Sequence, residues 1–445
     1  MRRNGVSEPE SKTIVILGAG FGGVAAAQEL ARLRPENEEW DIVLVDQNNF
    51  LLFTPMLTEV AGGVVDASGI VSAVRTLSSR VTFEQGRVTS IDAANGQVEI
   101  MIGESLPGVQ RARKVIRAEH LVVALGSITN FRGIDGLVEH SLTIKTIEGA
   151  LAIRTRTLAL LERADEETDP DARRALLTFV VGGAGFSGVE TMAVLNDLVR
   201  ALRDKFPRID ARDIRTVLVD PGTRLLPEIS EGLAQYAQKK LEQRGVEMRL
   251  QTAITGAGEG WVEVKAEHVQ DKERIPTHLL VWAGGVTPEP VIEKSGLPLG
   301  HHHGVVVDGC CRVKDHPNMW AIGDCAEVPR PGGKGTYAPM AQNATREGKL
   351  VGGNVAAAIQ GRPQRSFAYH PIGELAMVGR QTGVASIYGL HFSGTIAWMM
   401  WRGIYLAKLP QMRQRVRVVM DWTLDLVFGR DLATIPVPHS PRPQP

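Results

Sequence analysis

Cysteine is scarce: Cys310, Cys311 and Cys325 are the only three in 445 residues. That number excludes a disulfide scaffold, and adjacent cysteines do not readily bridge each other, so a reducing, cytosolic setting is expected. An excess of one charge is also missing. Fifty basic and fifty acidic residues cancel, so no overall field draws nucleic acid, no nucleic-acid partner is expected, and attraction to a membrane has to come from a local cluster. Nor is there an unbroken apolar run of about 18 to 20 residues, the length that spans a bilayer. Met1 to Lys12 is polar, with no apolar stretch behind its two arginines. It is read as a disordered lead over residues 1–11 and not as a secretory signal. Pro436 to Pro445 has too few apolar residues to order itself and is expected to be a disordered tail. His301, His302 and His303 are consecutive, so their side chains cannot all converge on one ion, and no metal is expected.

A chain of 445 residues exceeds one domain of about 100 to 200 residues, so two or three are expected. Thr13 to Leu17 is β-branched and apolar and reads as a buried parallel strand. Gly18, Gly20 and Gly23 follow at GxGxxG spacing, and Val24 to Leu33 continues as an Ala/Leu-rich helix. The first glycine allows a tight turn, the second lets backbone approach a pyrophosphate, and the third lets the helix pack closely, while the helix N-terminus attracts phosphate charge. A second strand, Ile42 to Val45, ends in Asp46, an acid placed to accept ribose hydroxyls.

The same unit recurs. Leu177 to Val181 reads as a strand, Gly183, Gly185 and Gly188 repeat the spacing, Val189 to Leu198 is helical, and Thr216 to Val219 closes on Asp220. Two such units can hold two dinucleotides face to face, the arrangement that passes a hydride from a nicotinamide to a flavin. Asp220 repels a 2′-phosphate and so favours NADH over NADPH, a preference that nearby Arg224 weakens. Between the two units, Arg87 to Ile100 alternates around Asn95-Gly96, a hairpin signal that suggests a small crossover sheet. His120 to Gly126 reads as another buried strand ending in glycine. The charged, proline-broken stretch from Arg163 to Arg174 reads as a solvated loop between domains.

These residues resemble the two-dinucleotide flavoprotein reductases and, within them, the type II NADH:quinone oxidoreductases, over Thr13 to about Ile435. Ala321-Ile-Gly-Asp-Cys-Ala326 resembles the late FAD motif, which implies that Asp324 binds the ribityl chain and Gly323 allows close approach. The resemblance makes Gly126 a further cofactor-side glycine, makes Phe50 to Leu57 a segment near the flavin, and makes Val281 to Gly285 the strand closing the nicotinamide domain. It implies that Glu190, in Gly188-Val-Glu190, lies close to the reacting rings, and that Gln342, in Ala341-Gln-Asn-Ala344, belongs to a quinone-site motif. Where that motif usually continues with glutamine, this chain has Arg346 and Glu347.

A reduced flavin must be reoxidised, and disulfide reductases do so through a cysteine pair beside the ring. No cysteine precedes Cys310, which excludes that arrangement, and all three are read as structural. Trp398, Trp401, Tyr405, Leu409 and Met412 fall at helical spacing, and Val416 and Val419 continue the stripe beyond Pro410, with Arg402, Lys408, Arg413, Arg415 and Arg417 interleaved. Apolar and aromatic residues beside basic ones describe helices lying in a membrane interface; packing on the body or on a second copy as a homodimer is the alternative.

The expected fold is α/β: two Rossmann-like dinucleotide-binding domains, one inserted in the other, with a C-terminal amphipathic helical module. An FAD domain takes 12–145 and 290–390, an NAD(H) domain 146–289, and membrane-interface helices 391–435. The expected enzyme takes a hydride from NADH onto bound FAD and gives the electrons to a membrane quinone, without pumping protons, on the cytoplasmic side of the cell membrane as a peripheral protein. Two alternatives stay open: a soluble NADH-dependent reductase of a small redox protein, and a non-enzymatic dinucleotide-sensing flavoprotein.

Overall fold

The computed structural model describes residues 12–36, 39–103, 110–333 and 335–433. The lead over residues 1–11 and the tail over 436–445 lie outside them. Two compact units form. One takes the chain to Leu52, then Ser72–Ile128 and Val286–His370; the other takes Phe53–Val71, Thr129–Gly285 and Pro371 onward.

The first unit is built on a seven-stranded sheet ordered Met319–Ala321, His120–Val123, Lys12–Leu17, Trp40–Asp46, Thr82–Asp92, Gln97–Ile102 and Ala112–Arg117. The first five pair in parallel. Ile14 to Leu17 and Leu121 to Val123 are buried on both faces, as an apolar β-branched run in a parallel sheet must be. The expected hairpin is present, with Asp92 opposite Gln97, Gly96 at φ +61°, and the Asp92 carboxylate accepting from the backbone and side-chain nitrogens of Asn95. It does not form a separate crossover sheet. Thr82 to Gln85 pairs with Val43 to Asp46, and the same strand runs on into the hairpin, so the antiparallel pair extends the parallel sheet. Helices Phe21–Leu33 and Ala341–Ile359 cross at glycines: a Cβ on Gly348 would stand 2.1 Å from the Gly22 carbonyl oxygen.

The second unit holds a five-stranded parallel sheet ordered Leu142–Thr143, Leu279–Trp282, Thr178–Gly182, Arg215–Val219 and Val246–Arg249, with an antiparallel sheet of Thr252–Gly258, Trp261–Ala266 and Glu273–Pro276. The division differs from the expected one in several places: residues 129–145, expected in the FAD domain, and the C-terminal helices from residue 391 fall in this unit. Residues 371–390 belong with this unit because strands Gly373–Met377 and Gly383–Ile387 carry helix Gly394–Lys408, where a Cβ on Gly383 would stand 2.9 Å from the Trp398 nitrogen. Phe53–Val71 also belongs here: helix Leu57–Ala61 and the Gly62 that ends it lie against helix Phe186–Leu202, with a Cβ on Gly62 3.0 Å from Val194.

The expected loop from Arg163 to Arg174 is also corrected. Helix Ile147–Glu166 runs through its first part with Ala164 buried, and a second helix, Pro170–Leu176, fills the rest. Asp169 accepts from the backbone nitrogens of Asp171 and Ala172 and Pro170 takes the first helical position, so the proline that suggested a break starts a helix.

Candidate functional site

Each unit carries one glycine cradle, and the two are built alike. Gly18 has φ +100°, and a Cβ there would stand 2.2 Å from the Ala124 carbonyl oxygen; a Cβ on Gly23 would stand 1.8 Å from that of Gly18. Only glycine fits either place. Around Gly20, in contrast, a Cβ would meet nothing within 4 Å. Gly20 also stands at the start of helix Phe21–Leu33, which has no side-chain cap. Open space before an uncapped helix N-terminus is what a pyrophosphate needs. In the second unit Gly183 (φ +110°) faces the Ala283 carbonyl oxygen at 2.6 Å, Gly188 faces that of Gly183 at 1.8 Å, and Gly185 is again open, before the uncapped helix Phe186–Leu202.

The strand-end acids repeat too. Asp46 accepts the Ala19 N–H on Oδ2 and the Asn48 N–H on Oδ1, both at 2.7 Å. Asp220 accepts the Ala184 N–H on Oδ2 at 2.7 Å and the Gly222 N–H on Oδ1 at 2.6 Å. Each carboxylate therefore pins its own glycine turn, and each oxygen keeps a second lone pair for a ribose hydroxyl. Burial pushes the Asp46 carboxyl above its ordinary value, against the pull of the two N–H donors.

On the first unit Gly126 (φ +70°) borders open space, and Asp324 accepts the Ser127 hydroxyl at 2.6 Å. Gly323, at φ +71°, donates its N–H to Glu347 Oε2 at 2.8 Å. Glu347 is buried, and that burial pushes its carboxyl up to about 7. Gln342 sits at the start of helix Ala341–Ile359, where its Oε1 accepts the Tyr369 hydroxyl at 3.3 Å. The Arg346 guanidinium lies 4.0 Å above the Tyr369 ring and donates to the Gln342 carbonyl oxygen at 2.9 Å. The departure from the glutamine pattern thus gives Gln342 an aromatic and cationic brace.

Glu190 lies on helix Phe186–Leu202 and is buried. Its Oε1 accepts the Met377 N–H at 2.9 Å and the Trp401 indole N–H at 3.0 Å. Burial pushes its carboxyl up to about 8, further than these donors lower it. A second buried carboxyl, Glu59, has the same company: its Oε2 accepts the Trp422 indole N–H at 2.9 Å. Arg402 lies between the rings of Trp398 and Trp422, at 4.1 and 4.5 Å, and its Nη2 is 3.7 Å from Glu59 Oε1. The sequence reading missed Glu59; a carboxylate inside the apolar run Leu57–Ala61 was the available signal.

This arrangement corrects the reading of the C-terminal stripe. Trp401 and Leu409 are fully buried and Trp422 nearly so, and they face the body of the unit instead of a lipid headgroup layer. Arg402 turns inward with them, and Arg415 caps helix Gly394–Lys408 through the Ala407 and Leu409 carbonyls. The exposed apolar face keeps Met412, Val416 and Val419 of the expected stripe and adds Met420, Leu424 and Val427.

The three cysteines are free thiols, with Cys311 and Cys325 buried. Burial pushes Cys325 up to about 12 and Cys311 well above its ordinary value, so neither is a thiolate at neutral pH. Among the described residues no group of three or more metal-ligating side chains converges.

Residues 12–348 match the pyridine nucleotide-disulphide oxidoreductase family, and residues 372–431 match the NDH2 C-terminal domain. The chain belongs to that oxidoreductase family, in its type II NADH:quinone oxidoreductase branch. The type II NADH:quinone oxidoreductase Ndh of Mycobacterium tuberculosis is 30% identical over 433 residues, covering 95% of this chain and 89% of that protein. A probable NADH dehydrogenase of Dictyostelium discoideum is 28% identical, covering 96% of this chain and 92% of that one. Among solved structures, NDH2 from Plasmodium falciparum in complex with NADH superposes with a TM-score of 0.87 at 18% identity, covering 95% of this chain and all of that one, a likeness of fold. For a type II oxidoreductase the two cradles have distinct occupants, FAD and NADH, and both fit: open space at Gly20 and Gly185, an uncapped helix start, and a pinned acid.

Proposed function

We infer that the chain oxidises NADH and reduces a quinone through bound FAD. The observation that carries this is the duplicated cradle, two dinucleotide sites of one geometry in a chain that ends in an NDH2 C-terminal domain. FAD, once bound, supplies an acceptor that takes two electrons from a hydride donor and returns them to a quinone. Gly18, Gly20 and Gly23 with Asp46 would hold its pyrophosphate and ribose, and Asp324, steadied by Ser127, its ribityl hydroxyls. Gly183, Gly185 and Gly188 bind the NADH pyrophosphate, and Asp220 binds the free ribose diol.

Glu190 holds a proton near neutral pH, because burial outweighs its two donors. We assign it to proton delivery for the quinone. Gln342, its amide oriented by Tyr369 and Arg346, donates a hydrogen bond to a quinone carbonyl.

The acceptor is lipid-soluble, so the chain must meet a bilayer. Among the described residues no helix is long and apolar enough to cross one. Helix Met412–Phe428 instead presents Met412, Val416, Met420, Leu424 and Val427 on the side opposite its buried Gln414, Val418, Trp422 and Asp425, with Arg413 exposed beside them. That face suits the headgroup boundary of an anionic leaflet, on the cytoplasmic side where NADH is available.

The test is steady-state turnover of the FAD-loaded chain. NADH consumption that requires both FAD and a quinone supports the reading; consumption driven by a small redox protein and not by any quinone would replace it.

A further inference from the structure

Where the quinone-site motif usually continues with glutamine, this chain has Arg346, and the exchange is not neutral. Glutamine offers an uncharged amide, whereas a guanidinium is a permanent cation with five N–H donors in a planar fork. The groups that answer that charge decide what the site can hold.

Gln342 and Arg346 stand four positions apart on helix Ala341–Ile359 and so share one face of it. Arg346 is half-buried. Its guanidinium lies 4.0 Å over the Tyr369 ring, and Nη1 donates to the Gln342 carbonyl oxygen at 2.9 Å. That is its one hydrogen bond among the described residues, and none of the carboxylates among them pairs with it. Glu347, the next residue, turns inward instead. It accepts the Gly323 N–H at 2.8 Å, and burial pushes its carboxyl up to about 7.

The platform under Arg346 is firm. The Tyr369 N–H donates to the Tyr337 hydroxyl at 3.0 Å, that hydroxyl donates back to the Tyr369 carbonyl oxygen at 3.2 Å, and the Phe367 ring stands edge-on to Tyr337 at 4.9 Å. A second cation, Arg330, lies 5.5 Å over Tyr337 and also has no carboxylate partner among the described residues. Two guanidinium groups thus rest on one aromatic shelf of the first unit, and neither is neutralised there. Stacking uses the flat face of a guanidinium and leaves its N–H edge free. Bracing Gln342 occupies one N–H of the five.

A neutral quinone that covers this edge takes the cation out of water and returns only a carbonyl oxygen. A quinone with a negative oxygen beside its carbonyl answers the charge, and the fork can hold both oxygens at once. Resting on the placement of the quinone at Gln342, we propose that Arg346 makes the acceptor site selective for anionic quinones, those with an ionised hydroxyl next to a carbonyl, over neutral quinones of the same ring. The ionised substituent takes no part in the electron transfer and keeps its charge: NADH + H⁺ + anionic quinone gives NAD⁺ + anionic quinol.

The test uses 2-hydroxy-1,4-naphthoquinone, an anion at neutral pH, and its neutral methyl ether, 2-methoxy-1,4-naphthoquinone, as acceptors for the FAD-loaded chain with NADH. The two differ in intrinsic reactivity, so the quantity read is the ratio of their kcat/KM values, hydroxy over methoxy. Comparing that ratio between the parent chain and Arg346→Gln cancels the reactivity. Arg346→Gln should lower it by about tenfold or more, the effect of one charge-assisted contact. Loss of the brace on Gln342 slows both acceptors alike, so an unchanged ratio overturns the proposal.

A second measurement needs no variant. In equilibrium dialysis against the oxidised, FAD-loaded parent chain without NADH, the hydroxy compound should be released as sodium chloride rises from about 0.05 to 0.5 M, because salt screens a charge pair, while the methoxy compound stays bound. Equal salt dependence of the two compounds also overturns the proposal. Gln342→Ala tests the placement itself. If that variant reduces both naphthoquinones as fast as the parent chain, the quinone does not sit at Gln342 and the selectivity falls with the placement. If it slows both while Arg346→Gln leaves the ratio unmoved, the placement stands and the selectivity alone fails.

Discussion

The indole of Trp401 donates to the Glu190 carboxyl at 3.0 Å across 211 positions of sequence, so a C-terminal helix completes the environment of a buried acid in the second unit. The Trp422 indole does the same for Glu59 at 2.9 Å. Removing the C-terminal helices to test membrane docking therefore also strips two buried carboxyls of their donors. Trp401→Phe, a smaller change, leaves Glu190 Oε1 with the Met377 N–H alone and should cost about 0.5–1.5 kcal/mol, the net contribution of one hydrogen bond. Thermal denaturation measures that loss, and an unchanged melting temperature would mean that the hydrogen bond contributes nothing.

The buried acids set the pH dependence of stability. Glu59, Glu190 and Glu347 are raised from an ordinary 4.5 to about 7, 8 and 7. Between those limits the folded chain keeps protons that the unfolded chain has lost, so stability falls as pH rises. The melting temperature should be highest near pH 5, decline toward pH 8, and then level off on this account. Glu190→Gln should flatten the decline, and a melting temperature that rises through this window would contradict the burial argument.

The two open glycines separate the two nucleotide sites. Gly20→Ala and Gly185→Ala each place a methyl where the protein has empty space, so both variants should fold. Gly20→Ala should lose FAD on gel filtration. Gly185→Ala should keep FAD and raise the KM for NADH, by about tenfold for each 1.4 kcal/mol of lost contact. Loss of FAD from Gly185→Ala would reverse the assignment.

Membrane docking is tested on the outer face alone. Changing Met420, Leu424 and Val427 to serine leaves Trp401 and Trp422 on their acids. The variant should no longer float with vesicles containing anionic lipid, while its melting temperature and FAD content stay normal. Flotation equal to that of the parent chain would move the docking surface elsewhere, and a change from dimer to monomer without a change in flotation would make the face a contact between copies.

Both cradles were legible in the sequence because they are local: glycine spacing, a flanking strand and a terminal acid lie within about one βαβ unit. The helices at the C-terminus were legible as helices, but their orientation was not. Helix Met412–Phe428 has apolar residues on both sides, Val418 and Trp422 inward and Val416 and Met420 outward, so periodicity cannot say which side meets the protein. Glu59 escaped notice for a related reason. Its partner Trp422 is 363 residues away, so the sequence around Glu59 shows only a carboxylate in an apolar run, without the group that makes it a site. The stretch from Arg163 to Arg174 misled in the opposite sense, since its charges are a solvated helix surface and its proline a helix start.

The central claim is a two-step cycle on one chain, and anaerobic stopped-flow follows it directly. The FAD-loaded protein is mixed with NADH, flavin absorbance is recorded, and a soluble quinone is then added. The account predicts rapid bleaching by NADH and rapid return of the colour with quinone. Bleaching that no quinone reverses, or a flavin that NADH does not bleach, would contradict it.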